Sequence, residues 1–150
     1  MVMQNKSHLT AITRNKPSSP TRYLIGKDLL QGNILDFGCG KGFDVSYLRE
    51  KGFEITGYDP YFFPNKPSGL YDTIICHYVI NVLEKEKESE VLNEISNYLK
   101  ENGTAFITVR RDIKNEVHTS KGTYQRNVTI DLPVIKENSN YCIYKLKKKK

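Results

Sequence analysis

The sequence predicts an α/β fold: a doubly wound, mostly parallel sheet with helices on both faces and an antiparallel C-terminal edge. Three observations predict it. Short apolar runs alternate with amphipathic helical runs between residues 33 and 109, the pattern of strands joined by crossover helices. Helix stops stand at Gly32, Gly52 and Asn102-Gly103. After Arg110 the helical period fades and two further strand-like runs follow.

The elements follow in order. Residues 1–20 are polar and broken by Pro17, Ser18, Ser19 and Pro20, an irregular arm leading into a short helix over 21–30. A strand over 33–37 runs into Gly38-Cys39-Gly40-Lys41-Gly42, and a helix from about 43 to 51 puts Val45 and Leu48 on one face. Residues 53–58 read as the second strand, ending at Asp59-Pro60, and a loop rich in proline, glycine and aromatics covers 61–70. The third strand spans 71–79. The clearest helix spans 84–100, where Val91, Leu92, Ile95, Tyr98 and Leu99 recur at helical spacing. Residues 104–109 form the fourth strand, and 124–130 and 141–146 are expected to pair as an antiparallel hairpin.

The chain of 150 residues fits one domain over 1–146, followed by a lysine-rich tail at 147–150. Hydrophobic content of 38% with 27% charged residues describes a globular protein. No apolar stretch approaches the roughly 20 residues of a membrane span, and the expected place of work is the cytoplasm. The three cysteines, Cys39, Cys76 and Cys142, form no Cys-x-x-Cys pair, so neither a metal site nor a disulfide framework is expected. The net charge of +6 is concentrated at the C-terminus. Such a run is ordinarily a solvated tail; its functional reading is phosphate attraction, with nucleic acid as partner.

Ligands in such sheets bind beyond the carboxyl ends of the strands. The segment from Ile34 to Gly42 occupies that place, where glycines at 38 and 40 permit close backbone approach. The loop reads G-x-G-x-G rather than G-x-G-x-x-G, with Asp36 two residues ahead of Gly38. An anion there repels a pyrophosphate and suits the ammonium of a methionine moiety. Asp59 ends the next strand, about 20 residues after Gly38, where a carboxylate can accept from both ribose hydroxyls. The plainer reading of Asp59 is a turn aspartate before Pro60.

These segments resemble the class I S-adenosylmethionine-dependent methyltransferases: ILDFGCGKG at 34–42, GYDP at 57–60, YDTIICHYVINVLE at 71–84 and LKENGTAFITV at 99–109. Within them the chain is most similar to the methyltransferases associated with DNA phosphorothioation gene clusters. That narrower likeness lies in Ala11-Ile12-Thr13-Arg14 with Ser19-Pro20, and in Tyr78-Val79-Ile80-Asn81-Val82-Leu83-Glu84. The resemblance implies a short Rossmann-like class I fold, S-adenosylmethionine as cofactor, and methyl transfer to a small-molecule or nucleic-acid-related acceptor. It implies that Gly38, Cys39 and Gly40 line the methionine part, that Asp36 neighbours its amino group, and that Asp59 with Pro60 holds the ribose. Cys76 and His77 would border the methionine and methyl group. The family's usual strand and helix between the ribose acid and the Tyr71 strand have no room here, so adenine recognition falls to Tyr61-Phe62-Phe63 or to residues elsewhere.

The Asn/Asp-Pro-Pro-Tyr/Phe signature of exocyclic-amine methyltransferases is replaced by Cys76-His77-Tyr78-Val79, and the Pro-Cys pair of cytosine-C5 enzymes is absent. His77 is a candidate general base, or else a packing histidine. Tyr78 is a candidate catalytic residue or an aromatic wall. Asn81 either caps the approach to the long helix or orients a substrate. Arg110 and Arg111 on the functional rim, and Arg14 in the arm, are candidate anion ligands, with strand alternation turning only one of the first two to the cleft. His118 and Gln125 take no assigned role. The alternative function is a non-catalytic S-adenosylmethionine-binding partner subunit of a modification system.

Overall fold

The computed structural model describes residues 16–113, 117–118 and 124–148. The arm ahead of Lys16, with Arg14, lies outside the described residues, as do the last two lysines and the side chain of His118. Helix α1 spans Ser19–Gly26, with Pro20 in its first turn, where the missing N–H of proline costs no helical bond. It begins two residues earlier and ends four earlier than its composition suggests, because Asp28 takes φ 56° and turns the chain back. Strand β1 (Asn33–Phe37) leads through the glycine loop to α2 (Phe43–Glu50), then β2 (Glu54–Tyr58) and β3 (Tyr71–His77). A 3₁₀ turn at Ile80–Val82 precedes α3 (Lys85–Asn97). Glu84, not Asn81, stands at the N-cap of α3, and Glu86 and Glu88 place negative charge in its first turn, where the helix dipole favours it.

Strand β4 spans Leu99–Arg110, longer than expected because the chain enters the ladder at once. Tyr71 pairs with Leu99 and Thr73 with Thr104, so the Asn102-Gly103 stretch bulges out within a strand rather than ending a helix before it. Beyond it, β5 (Val117–His118) and β6 (Tyr124–Gln125) form a separate two-stranded ribbon, and β7 (Val134–Glu137) and β8 (Tyr141–Lys147) complete the main sheet. The order is β2-β1-β3-β4-β8-β7, with β1, β2, β3 and β4 mutually parallel and β8 antiparallel to both β4 and β7.

The expected hairpin between 124–130 and 141–146 is corrected: the partner of β8 is β7, and residues 126–132 belong to neither sheet. Those residues still alternate in burial, with Arg126, Val128 and Ile130 inside. Their period of two records one face turned to the core, where Ile130 N donates to the Tyr144 hydroxyl at 3.2 Å, and not a ladder. The lysine run is also partly strand: Lys147 pairs with Thr104, and Lys148 N donates to Gly103 O at 2.9 Å.

Side-chain alternation divides the core between two faces. Leu35, Phe37, Ile74, Cys76 and Ile107 meet Val91 and Ile95 of α3. Ile34, Ile75, Phe106 and Ile143 meet Leu24 of α1 and Val45 and Leu48 of α2. Each fully buried Leu or Ile removes enough apolar surface to contribute about 1.5–3 kcal/mol. Asp59–Leu70, where a further strand and helix were expected to have no room, carries only an isolated bridge between Asp59 and Phe63. That leaves β2 as a sheet edge, where Arg49 Nη2 donates to the Ile55 carbonyl at 2.6 Å. No described helix is long and apolar enough to cross a membrane.

Candidate active site

The carboxyl ends of β1, β3 and β4 converge on one rim, and the glycine loop crosses it. Gly38 and Cys39 both donate to the Tyr58 carbonyl, at 2.7 and 2.9 Å, which fastens the loop to the end of β2. Gly38 takes φ 86°. A Cβ at that position would stand 2.3 Å from Cγ2 of Val79, so the residue is glycine because the chain after β3 packs directly on it. At Gly42, φ 83°, a Cβ would lie 3.0 Å from the Phe63 ring, which therefore rests on the glycine backbone.

Asp59 binds this loop to the next. Its Oδ2 accepts from Gly40 N at 3.0 Å, and its Oδ1 accepts from Tyr61 N at 2.9 Å and Phe62 N at 3.1 Å. Of about four acceptor sites on a carboxylate, three are engaged, leaving one on Oδ2. Tyr61 and Phe62 pack edge to face at 4.8 Å between ring centres, and Tyr61 is exposed. Pro60 is half-buried within the same turn.

Asp36 is buried, and burial holds its carboxyl well above the ordinary range, with repulsion from Asp44 and Asp59 adding to the effect. Three carboxylates thus crowd one end of the rim. The same burial, with Asp36 and Asp59 nearby, pushes the half-buried Cys39 thiol up, and the fully buried Cys76 thiol is raised by burial and by Asp36. Neither thiol is a nucleophile at neutral pH. Cys76 is buried on the α3 face of the core, within reach of the Asp36 charge.

His77 sits in a chain of hydroxyls. Thr21 Oγ1 donates to Asp44 Oδ2 at 2.7 Å, as does Ser18 Oγ, and Ser18 N reaches Asp44 Oδ1 at 3.0 Å. The single Thr21 hydrogen is spent on Asp44, so at the 3.0 Å contact with His77 Nε2 the ring is the donor. A neutral ring then accepts at Nδ1 from the Thr108 hydroxyl, 2.7 Å away. Both nitrogens of the expected base are engaged by threonines from two different elements. Tyr78 follows with φ 63°, a left-handed backbone unusual for an aromatic residue, and donates its N–H to Thr108 O at 2.8 Å. Strain of this kind gathers at functional sites.

The arginines separate as alternation requires. Arg110 is clamped by Asp112, Nε to Oδ1 at 2.8 Å and Nη2 to Oδ2 at 2.6 Å, and this pair holds its pKa above the ordinary value. Arg111 is built into the scaffold, donating to Glu137, the Val128 carbonyl and the Tyr144 hydroxyl. Sequence reasoning missed Ser18, Thr21, Asp44 and Thr108 as the frame around His77; an acid in the first turn of α2 was the one available signal. Among the described residues no cluster of three or more His, Cys, Asp or Glu side chains could hold a metal ion.

Buried Asp36, in the negative field of Asp44 and Asp59 beside a glycine turn, suits a group that carries a cation and hydroxyls, which is the chemistry of a sulfonium nucleoside with an amino acid arm. Comparison with known proteins agrees in kind. A family model described as a methyltransferase domain matches residues 10–135. Among solved structures, the chain is similar to the 1,6-didemethyltoxoflavin-N1-methyltransferase of Burkholderia thailandensis, solved with S-adenosylhomocysteine, at 15% identity and TM-score 0.67, covering 88% of this chain and 78% of that one. It is similar to the magnesium protoporphyrin IX methyltransferase of a Synechocystis, with 16% identity, TM-score 0.55 and coverage of 87% and 76%. A TehB-like S-adenosylmethionine-dependent methyltransferase of Corynebacterium glutamicum gives 19% identity, TM-score 0.58 and coverage of 91% and 90%. No curated protein matches the sequence.

Proposed function

Because the chain belongs to the family of methyltransferase domains, we propose that it binds S-adenosylmethionine at the glycine loop and transfers its methyl group to a small-molecule or nucleic-acid-related acceptor. One observation carries the reading: a buried Asp36, pressed by Asp44 and Asp59, beside a glycine turn. That potential disfavours a pyrophosphate and favours an ammonium. The solved structures that share the fold include ones holding S-adenosylmethionine or S-adenosylhomocysteine.

When bound, the cofactor supplies a methyl group on a sulfonium, ready for in-line displacement. The chain's own residues bind and orient. Gly38, Cys39 and Gly40 let the backbone approach the methionine arm, and Asp36 faces its amino group. Asp59 has an acceptor site left on Oδ2 for a ribose hydroxyl, and Pro60 fixes the turn that presents it. The Tyr61-Phe62-Phe63 loop offers aromatic surface for adenine. His77, paired on both sides, acts by holding α1 and β4 at the rim rather than by taking a proton, and Cys76 supports it from the core. Tyr78 forms an aromatic wall, and Arg110 binds an anionic acceptor only in competition with Asp112. The resemblance of the arm and the Tyr78–Glu84 segment to phosphorothioation-associated methyltransferases supports a nucleic-acid-related acceptor. Three free thiols suit work in the cytoplasm.

Calorimetric titration with S-adenosylmethionine, S-adenosylhomocysteine and NAD tests the reading. Heat from the first two and none from NAD is the expected result; binding of NAD alone overturns it.

A further inference from the structure

The 3₁₀ turn after β3 buries a polar group that no described residue satisfies. Asn81 is fully buried, its Nδ2 donates to Gln125 Oε1 at 2.8 Å, and its Oδ1 has no hydrogen-bond partner among the described residues. Rotating the amide by half a turn only changes which of its two polar atoms is stranded. A buried acceptor left unpaired destabilises the fold, and such a group is retained where something else completes it.

What covers Asn81 is the β5–β6 ribbon. Arg126 N donates to the Asn81 carbonyl at 2.9 Å, and the Arg126 guanidinium reaches the Leu83 carbonyl and Glu88 of α3 at 2.7 and 3.0 Å. The base of the ribbon is therefore anchored, while the ribbon itself is held by two residue pairs, Val117 with Gln125 and His118 with Tyr124. A ribbon that short is marginal and opens at low cost. Asn81 itself lies beyond the carboxyl end of β3, three residues after the left-handed Tyr78.

We infer that Asn81 is the recognition residue for the methyl acceptor and that Gln125 is its placeholder. The Gln125 amide imitates half of what the site is made to receive. The ligand class is a neutral planar group carrying an acceptor beside an N–H donor, such as a lactam, a carboxamide or the edge of a nucleobase. Its acceptor takes Nδ2–H from Gln125, and its N–H supplies the stranded Oδ1. Displacement exchanges one neutral hydrogen bond and adds one that is missing. An Asn side chain reads a donor–acceptor base edge by the same geometry. This assignment rests on the cofactor reading above, since it places the acceptor on the same rim.

The test uses the full chain saturated with S-adenosylhomocysteine, with 2-pyridone as probe and N-methyl-2-pyridone, which lacks the donor, as control. Side-chain amide resonances of Asn81 and Gln125 report binding. 2-Pyridone is expected to shift both, with about tenfold higher affinity than the N-methyl compound, the scale of one hydrogen bond. Asn81→Ala removes that preference. Gln125→Ala tightens 2-pyridone binding severalfold, because the competitor is gone, whereas a purely structural Gln125 predicts weaker binding or none. Absence of binding, equal affinity for the two compounds, or weakened binding in Gln125→Ala overturns the assignment; should Asn81→Ala fail to fold, the Gln125 variant and the probe pair decide. Failure of S-adenosylhomocysteine to bind the unaltered chain instead sinks the cofactor reading itself.

Discussion

Nε2 of His77 stands 3.0 Å from the Thr21 hydroxyl, joining the end of β3 to the first turn of α1 across 56 residues of sequence. Thr21 passes the link to Asp44, and Thr108 closes it on the far side of the ring. One imidazole therefore holds α1, α2 and β4 at the rim.

Thr21→Val keeps the shape and removes the relay. It removes the hydroxyl that bonds both Asp44 Oδ2 and His77 Nε2, and should cost about 1–3 kcal/mol of stability. Urea denaturation of the two proteins checks this, and an unchanged midpoint would mean that the chain of hydroxyls holds nothing.

Asp59→Ala should weaken S-adenosylmethionine binding by roughly 1–3 kcal/mol, since a charged acceptor is lost. It also frees the amides of Gly40, Tyr61 and Phe62, so their hydrogen exchange should accelerate. Calorimetry with full wild-type affinity would remove the ribose assignment.

Asp36 gives a pH dependence with a definite sign. Its carboxyl lies well above the ordinary 3.8, chiefly through burial and then through Asp44 and Asp59. The folded chain holds that proton more firmly than the unfolded chain, so the contribution to stability falls as pH rises above about 3.8 and through the folded value. Asp36→Asn, which cannot ionise, should melt higher than wild type at about pH 8, and the gap should close towards about pH 4. A cationic ligand favours the ionised form, so binding of S-adenosylmethionine should release a proton and strengthen with pH; calorimetry in buffers of different ionisation enthalpy measures that release. A gap that widens towards acid would reverse the argument.

Gly38→Ala meets two obstacles, the positive φ and Cγ2 of Val79. The left-handed backbone alone costs an alanine about 1–2 kcal/mol, and the clash adds to it. Pairing the change with Val79→Ala should recover only the steric part, so the double variant is expected to melt between Gly38→Ala and Val79→Ala.

The parallel half of the sheet was legible because crossover helices impose a change of period that composition reveals, as at Val45 and Leu48 against the run from Ile34 to Phe37. The end of the chain was not. Val128 and Ile130 alternate as strand residues do, yet they fill the core without pairing, while Val134–Glu137, with two charged residues and both ends exposed, is the real strand. Pairing depends on where Pro133 and the Tyr141 turn deliver the chain, which no local pattern encodes. At the site, the glycine loop and Asp59 stood out by spacing. The frame of Ser18, Thr21, Asp44 and Thr108 did not, since hydroxyls and a helix-start acid are common and only the fold brings them to one ring. The stranded Oδ1 of Asn81 is likewise a property of three dimensions alone.

The guanidinium of Arg49 on the Ile55 carbonyl has a consequence for how these molecules behave when crowded. Bare margins of pleated backbone invite neighbouring copies to add on and grow into fibres. Here a bulky, solvated cation already occupies one of the attachment points along a margin only five residues long. Arg49→Ala should leave each molecule folded while making concentrated solutions turn cloudy sooner.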